Sequence, residues 1–475
     1  YFIHQKRETV FDVPCYKSVT DVPDTVDLMV ICTSQKTVIP LLREGAKKGC
    51  GGAVVFASGY GEVGTDEGRQ NEAELIAVAR ELDIAVMGPN CAGYVNYIDN
   101  VQAFAFISEK RDRKGSVGVV SQSGQLCLSL MDCPGMRFSY SISAGNGKIV
   151  QVEDYMEFLV DDENTKVVSV YIEGVKNADK FAAVLKKAAE KKKPVVILKA
   201  GRSAKGGAIA ASHTGSLSGS DASFDAVLKK FGAIRVDDLE ELMAMSLMLS
   251  TLKKVPDQAT FASMNLSGGE TGICADMGSA YGIFYPDFEK KTLQRLRELL
   301  PDFATPDNPL DMTAALCYDS KRYAEGLKAV MEDEQVEMIL IGITIAYEIS
   351  DPTIYNIYDG VKMVLEQGYK KPIAILSFIE GTRNQEISEK FAALGVPILP
   401  SPKYAFSVIR HLQDYVSYHP EERTLRLAVS EQEKTGKRIA LSERKSKEYL
   451  AHQEIEMELG MIASSPKEAV ALAEK

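Results

Sequence analysis

His213 stands in Ser212-His213-Thr214-Gly215-Ser216-Leu217-Ser218-Gly219, a run of small residues. An imidazole is a neutral nucleophile near pH 7, and small neighbours let a bulky charged substrate approach it, so this stretch is a candidate for covalent chemistry. The other histidines, His4, His411, His419 and His452, lie in charged or aromatic company. A lone histidine is more often a solvated loop residue, so the case rests on what the fold brings beside it. Glu173 follows the β-branched run Val167 to Ile172 and His213 follows the run Val195 to Lys199, which sets the two beyond the ends of successive strands, one crossover apart. Ser121-Gln122-Ser123-Gly124 and Ser267-Gly268-Gly269-Glu270-Thr271-Gly272 each join an apolar run to a helical pattern. Such turns offer unpaired N–H groups and a positive helix end to an anion, although Ser and Gly cap helices without a ligand too.

The elements that must position these residues alternate short β-branched runs with amphipathic stretches, which predicts an α/β fold of parallel sheets. A first module over residues 1–115 has strands near 26–32, 53–57 and 84–87 and helices near 38–48 and 69–82. At the carboxyl edge of its strands come Thr33 and Ser34, then Ser58, Gly59, Tyr60 and Gly61, then Asn90 and Cys91 within Gly88-Pro89-Asn90-Cys91-Ala92-Gly93. Loops at that edge of a doubly wound sheet bind nucleotide-like ligands. The chain lacks a GxGxxG loop and begins at Tyr1, which leads to the expectation of a missing earlier strand and glycine loop. A second module over 116–253 carries the Glu173 and His213 segments. A third over 256–425 repeats the strand, Ser/Gly turn and helix opening, with Asn308 and Asp311 shaping a proline turn. Residues 426–475 read as a charged linker and the start of a further domain.

With 475 residues, 45% of them hydrophobic and 25% charged, the chain has the composition of a globular protein of about three domains. A net charge of −11 and a pI near 5.3 argue against general nucleic-acid or membrane-surface binding. The eight cysteines show no repeated CxxC pairing, which speaks against a zinc site or a disulfide framework and for reduced thiols in the cytoplasm. No metal ligand set is expected. No apolar run reaches the ~20 residues of a membrane span.

SHTGSLSGSD at 212–221, GPNCAG at 88–93, SQSG at 121–124, SAGN at 143–146, YIEG at 171–174, LKAGRS at 198–203 and SGGETG at 267–272 together resemble, in order, the nucleoside-diphosphate-forming (ADP-forming) acyl-CoA synthetases, relatives of succinyl-CoA synthetase. The resemblance implies a CoA-binding Rossmann-like domain followed by two flavodoxin-like domains, with the tail at 441–475 similar to the opening of an ATP-grasp domain. It implies that acyl-CoA and phosphate give acyl phosphate and coenzyme A, that His213 takes the phosphoryl group, and that ADP receives it to give ATP. His213 is then the nucleophile and Glu173 the carboxylate that orients it. Ser123, Gly124, Gly268, Gly269, Glu270, Thr271 and Gly272 bind phosphate. Thr33, Ser34, Ser58, Gly59, Tyr60, Gly61, Asn90 and Cys91 line the CoA site, with Asn90 and Cys91 near the thiol; for Cys91 the alternative is a buried small apolar residue. ADP/ATP with Mg2+ is expected to act through an ATP-grasp domain or subunit, in a homo- or hetero-oligomer. Two other readings stand beside this one: the CoA-binding scaffold of a protein lysine acetyltransferase, and a noncatalytic CoA-binding regulator.

Overall fold

The computed structural model describes residues 1–107, 113–214, 220–258, 260–345, 351–379, 384–419, 441–452, 455 and 463–473. The chain divides into two units, Tyr1–Thr424 and Leu425–Lys475. The second consists, among the described residues, of helices Glu443–Ala451 and Pro466–Ala473; the first of these is capped by Ser442 and laced by the ion pairs Arg444–Glu448 and Lys447–Glu443.

Within Tyr1–Thr424, three parallel strands, Leu28–Ile31, Gly52–Val55 and Ala85–Met87, form the first sheet. Helices Gln35–Lys47 and Asp66–Glu81 bury Val38, Leu42, Leu75 and Ala79 against it. In the edge strand Met29 and Ile31 face the core while Leu28 and Val30 are 37% and 44% exposed. The helices that cover Met29 and Ile31 leave the other face of this strand bare.

The second sheet has seven strands in the order Ile234–Val236, Val195–Lys199, Val167–Ile172, Lys114–Ser121, Phe138–Ser143, Gly93–Asn96, Val101–Phe104. The first five are parallel and the last two antiparallel. The strands at 93–96 and 101–104 thus belong to the second sheet, on the far side of the division expected at residue 115. Backbone pairing of Gly93–Asn96 with Phe138–Ser143 carries the chain across that division. The third sheet is parallel, in the order Leu310–Asp311, Phe261–Asn265, Met338–Ile343, Ile373–Ser377, Ile398–Pro400. Its central strands are buried on both faces, which is why they are unbroken apolar runs. Helix Pro402–Val416 packs on helix Leu239–Thr251, and one core runs from Val119 and Leu242 through Phe406 to Leu340.

Among the described residues no helix is long and apolar enough to cross a membrane.

Candidate active site

Parallel strands deliver their carboxyl ends to one edge, and the loops there converge. Strand Lys114–Ser121 ends in a turn in which the Ser121 hydroxyl donates to the Ser123 carbonyl at 2.7 Å and accepts the Ser123 N–H at 3.2 Å. Ser123 caps helix Gly124–Met131 by accepting the Leu126 N–H at 3.3 Å. The first N–H groups of this helix have no carbonyl one turn back. Their alignment favours an anion by about 0.3–1 kcal/mol when exposed and more where water is excluded. A side-chain carbon at Gly124 would make ordinary contact with the Ala92 side chain, 3.4 Å away.

Gln122 links this turn to Glu173. Its side-chain carbonyl accepts the N–H groups of Glu173 and, at 3.1 Å, of Gly174, while its amide donates to the Gly174 carbonyl at 3.0 Å. The half-buried Glu173 carboxylate receives the phenol of Tyr171, whose pKa burial, with Glu173 beside it, pushes up to about 12. Gln122 therefore ties the backbone of Glu173 and Gly174 to the Ser123–Gly124 turn, a tie that the spacing of charged groups does not single out. His213 lies in the last turn of helix Ala204–Thr214. The segment was expected to be a loop from strand Val195–Lys199 onward; its Ala and Gly residues form a helix first. Gly215 to Gly219 of the same motif lie outside the described residues.

The second expected phosphate site begins helix Gly268–Ala280. The Ser267 hydroxyl accepts the Glu270 N–H at 3.4 Å, and the Glu270 carboxylate accepts the Ser267 N–H at 3.1 Å, a closed capping box. Thr344 also donates to Glu270 at 3.3 Å, and burial pushes the Glu270 carboxyl up. The Thr271 hydroxyl turns back to the Ser267 carbonyl at 2.9 Å. The side chains of Glu270 and Thr271 are thus committed to their own helix, and a carboxylate at the helix start opposes a phosphate. What this turn retains for an anion is backbone, with open space over Gly269 and Gly272 and the Asp311 carboxylate close over Gly268. Asn308 ties three strand and loop segments together, through the Ser263 N–H at 3.1 Å and the carbonyls of Phe261 and Pro286 at 3.2 and 3.0 Å.

In the first module the expected CoA-binding loops meet the SAGN turn. Gly145, at φ +60, has the backbone oxygens of Pro89 and Asn90 where a side-chain carbon would start, 2.6 and 2.7 Å away. Asn146 accepts from the Asn90 side chain at 3.3 Å and donates to Glu62 at 2.5 Å. Glu62 in turn accepts the N–H groups of Gly59 and Tyr60 at 2.7 and 3.2 Å. Burial pushes the Glu62 carboxyl up, but hydrogen bonds from Asn146 and the Gly59 and Tyr60 amides outweigh it and hold the carboxyl below its ordinary value. Lys176 donates to the Asn146 carbonyl at 2.7 Å; burial, with Lys148 nearby, lowers its pKa to about 8. Thr33 accepts the hydroxyl of Thr37 at 2.7 Å, Ser34 opens helix Gln35–Lys47, and Ser58 is exposed.

Two expected contacts are corrected. The Tyr60 ring is 1% exposed and packs in the first core, so only its backbone faces the loop edge. The Cys91 thiol is buried and directed at the carbonyls of Val55 and Met87, 3.4 and 3.8 Å away; burial pushes it up to about 11. Gln122, Glu62, Asn146 and Lys176 are the residues that join the loops. Gln122 and Asn146 sit inside motifs visible in the sequence, while Glu62 and Lys176 carry no local signal.

Residues 1–97 match the model of a CoA binding domain family, and residues 114–249 that of a succinyl-CoA ligase like flavodoxin domain. The chain is 34% identical over 407 residues to the ADP-forming acetate–CoA ligase II subunit alpha of Pyrococcus furiosus, covering 85% of this chain and 87% of that one. It is 30% identical to the ADP-forming 4-hydroxybutyrate–CoA ligase of Nitrosopumilus maritimus, over 100% of this chain and 69% of the relative. It is 32% identical to a trans-feruloyl-CoA synthase from a prokaryote, of whose length it spans 59%. A solved dinucleotide-forming acetyl-coenzyme A synthetase 1 of Candidatus Korarchaeum cryptofilum, in complex with phosphate and ADP, superposes with a TM-score of 0.76 at 27% identity, over 87% of this chain and 88% of that one.

Proposed function

Because the chain belongs to the ADP-forming acyl-CoA synthetases, we propose that it carries the CoA-binding and phosphohistidine half of an acid–thiol ligase, acting on acetyl-CoA or a close acyl-CoA. The thioester carbonyl is attacked by phosphate held at the Ser123–Gly124 turn and at the backbone of Gly268 and Gly269. The C–S bond breaks, and acyl phosphate and coenzyme A result. The imidazole of His213 then attacks phosphorus, the P–O bond to the acyl group breaks, and the carboxylate leaves. Glu173 orients the ring and balances the charge on the phosphorylated imidazole. Transfer from His213 to ADP regenerates the imidazole and yields ATP, and is assigned to an ATP-grasp domain or subunit. Mg2+ enters with the nucleotide there; no cluster of three candidate ligands occurs among the described residues. The CoA loops are Thr33–Ser34, Ser58–Gly61 and Asn90, of which Gly59 and Tyr60 contribute backbone only. Residues 1–115, 116–253 and 256–425 are the CoA-binding and two ligase domains, with strands from the first completing the sheet of the second.

The observation that supports this reading is the Gln122 bridge, which ties the backbone of Glu173 to the turn that opens helix Gly124–Met131. The acetyltransferase-scaffold and regulator readings are not favoured, since the relatives matched are ligases. Incubation of the chain with 32P-labelled acetyl phosphate tests the proposal. Acid-labile, base-stable label is expected in the wild type and absent in His213→Ala. Label that persists in His213→Ala removes the assignment.

A further inference from the structure

Both ends of the segment that bears His213 are gripped by one set of charges. At the leading end, Arg202 pairs with Asp237, which follows strand Ile234–Val236. Its Nε also lies 3.9 Å from Asp221, the first residue of helix Asp221–Lys230 at the trailing end. Asp221 in turn receives both hydrogen bonds of one Arg235 nitrogen, at 2.7 and 2.8 Å, and Arg235 reaches Asp225 at 3.2 Å. Arg235 stands on the strand itself, with only 14% of its side chain exposed. Ser203 caps the helix of His213 by accepting the Gly206 N–H at 3.1 Å. The two ends of residues 203–220 are therefore pinned to one sheet edge. These charges line a cavity of about 680 Å³ shared with His411, Asp414 and Tyr415. Arg202 is 46% exposed, so the set is reached by water and is not an interior staple of the core.

We infer that Asp221, with Arg202 and Arg235, is a positioning residue for phosphoryl transfer: it closes the span of the segment that carries His213. The inference rests on the reading of His213 as phosphoryl acceptor. A chain segment with pinned ends has already met the entropy of loop closure, and a catalytic group displaced by about 1 Å can lose roughly 100-fold in rate. Charge-assisted hydrogen bonds from one Arg235 nitrogen to both oxygens of Asp221 hold that carboxylate in place.

The test combines two measurements on the full chain and its variants. The first is the rate of 32P labelling from acetyl phosphate as a function of its concentration. The second is amide hydrogen exchange across residues 204–214. Asp221→Asn is expected to lower the maximal labelling rate about 10- to 100-fold, leave the half-saturating acetyl phosphate concentration unchanged, and accelerate exchange in 204–214. Asp221→Glu is expected to recover much of the rate. Arg202→Gln, at a half-exposed position, is expected to show the same pattern in milder form if Asp221→Asn folds poorly. Exchange across 204–214 that is unchanged in every variant overturns the inference, as does labelling at the wild-type rate. Faster exchange in the variants, with no label even in the wild type, upholds the clasp and removes the phosphohistidine reading.

Discussion

Replacing Gln122 by methionine keeps the volume and removes every hydrogen bond that its side chain makes. Three bonds disappear: two acceptor contacts to the Glu173 and Gly174 N–H groups and one donor contact to the Gly174 carbonyl. Gly174 is buried, so water cannot take over its N–H, whereas Glu173 is half-buried and partly compensated. An orphaned buried donor costs about 1–3 kcal/mol and a replaceable bond about 0.5–1.5 kcal/mol, which gives a penalty of about 2–4 kcal/mol concentrated on the Glu173 loop. If about 70% of it appears in the arrangement that meets phosphate, His213 labelling falls about 10- to 100-fold, since 1.4 kcal/mol is about tenfold. The time course of labelling by 32P acetyl phosphate reads the loss directly, with a urea titration to establish that the variant is folded. Gln122→Glu retains the two acceptor contacts but loses the donor, and is expected to fall between wild type and Gln122→Met. Wild-type labelling in Gln122→Met refutes the proposition that this bridge aligns the carboxylate.

The Glu241 carboxylate, its side chain 6% exposed, is pushed up by burial but pulled down further by hydrogen bonds from His411, Ser407 and the Asp237 amide, from 4.5 to about 2. A depressed carboxyl contributes stability above its unfolded value that is lost as pH falls through the folded one, so about 3 kcal/mol is expected to vanish between pH 4.5 and 2. Urea midpoints between pH 5 and 2 measure this, and Glu241→Gln should flatten the dependence. Gly145→Ala forces a side-chain carbon onto the oxygens of Pro89 and Asn90 at positive φ, an expected loss of about 2–5 kcal/mol, with weaker CoA binding by calorimetry. Iodoacetamide at pH 8 is expected to modify exposed Cys32 in the native chain and to reach Cys91 and Cys127, pushed up to about 11 and 12, only after denaturation; peptide mass spectrometry distinguishes them.

Much of the architecture was legible because fully buried parallel strands are continuous apolar runs with sharp ends. Val167–Ile172 and Met338–Ile343 begin and end on apolar residues, and Val195–Lys199 and Ile373–Ser377 run one polar residue past theirs. Phe138–Ser143 does not read this way, since three of its six residues are serines, all buried. Nor do Gly93–Asn96 and Val101–Phe104, whose sheet membership is decided by pairing with a strand some 40 residues on. Helix Ala204–Thr214 is built from small residues with little periodicity, and so resembles a loop. At the site, residue types and motif order pointed to the turns and to Glu173. The ties between loops escaped, because Glu62 to Asn146 and Gln122 to Gly174 span long stretches of sequence and leave no local pattern. Sequence order also assigned Glu270 and Cys91 to ligands, where local capping and burial claim them.

Helix Pro402–Val416 follows the last strand of the third sheet, yet Phe406, Val408, Ile409 and Leu412 are buried in the same core as Leu242, Met245 and Leu249 of the second module. Severing the chain between residues 253 and 256 would strip each piece of a wall that only the other supplies. The second and third modules are thus one unit of cooperativity, and a mutation in the helix that closes the third is expected to weaken the platform on which His213 is carried.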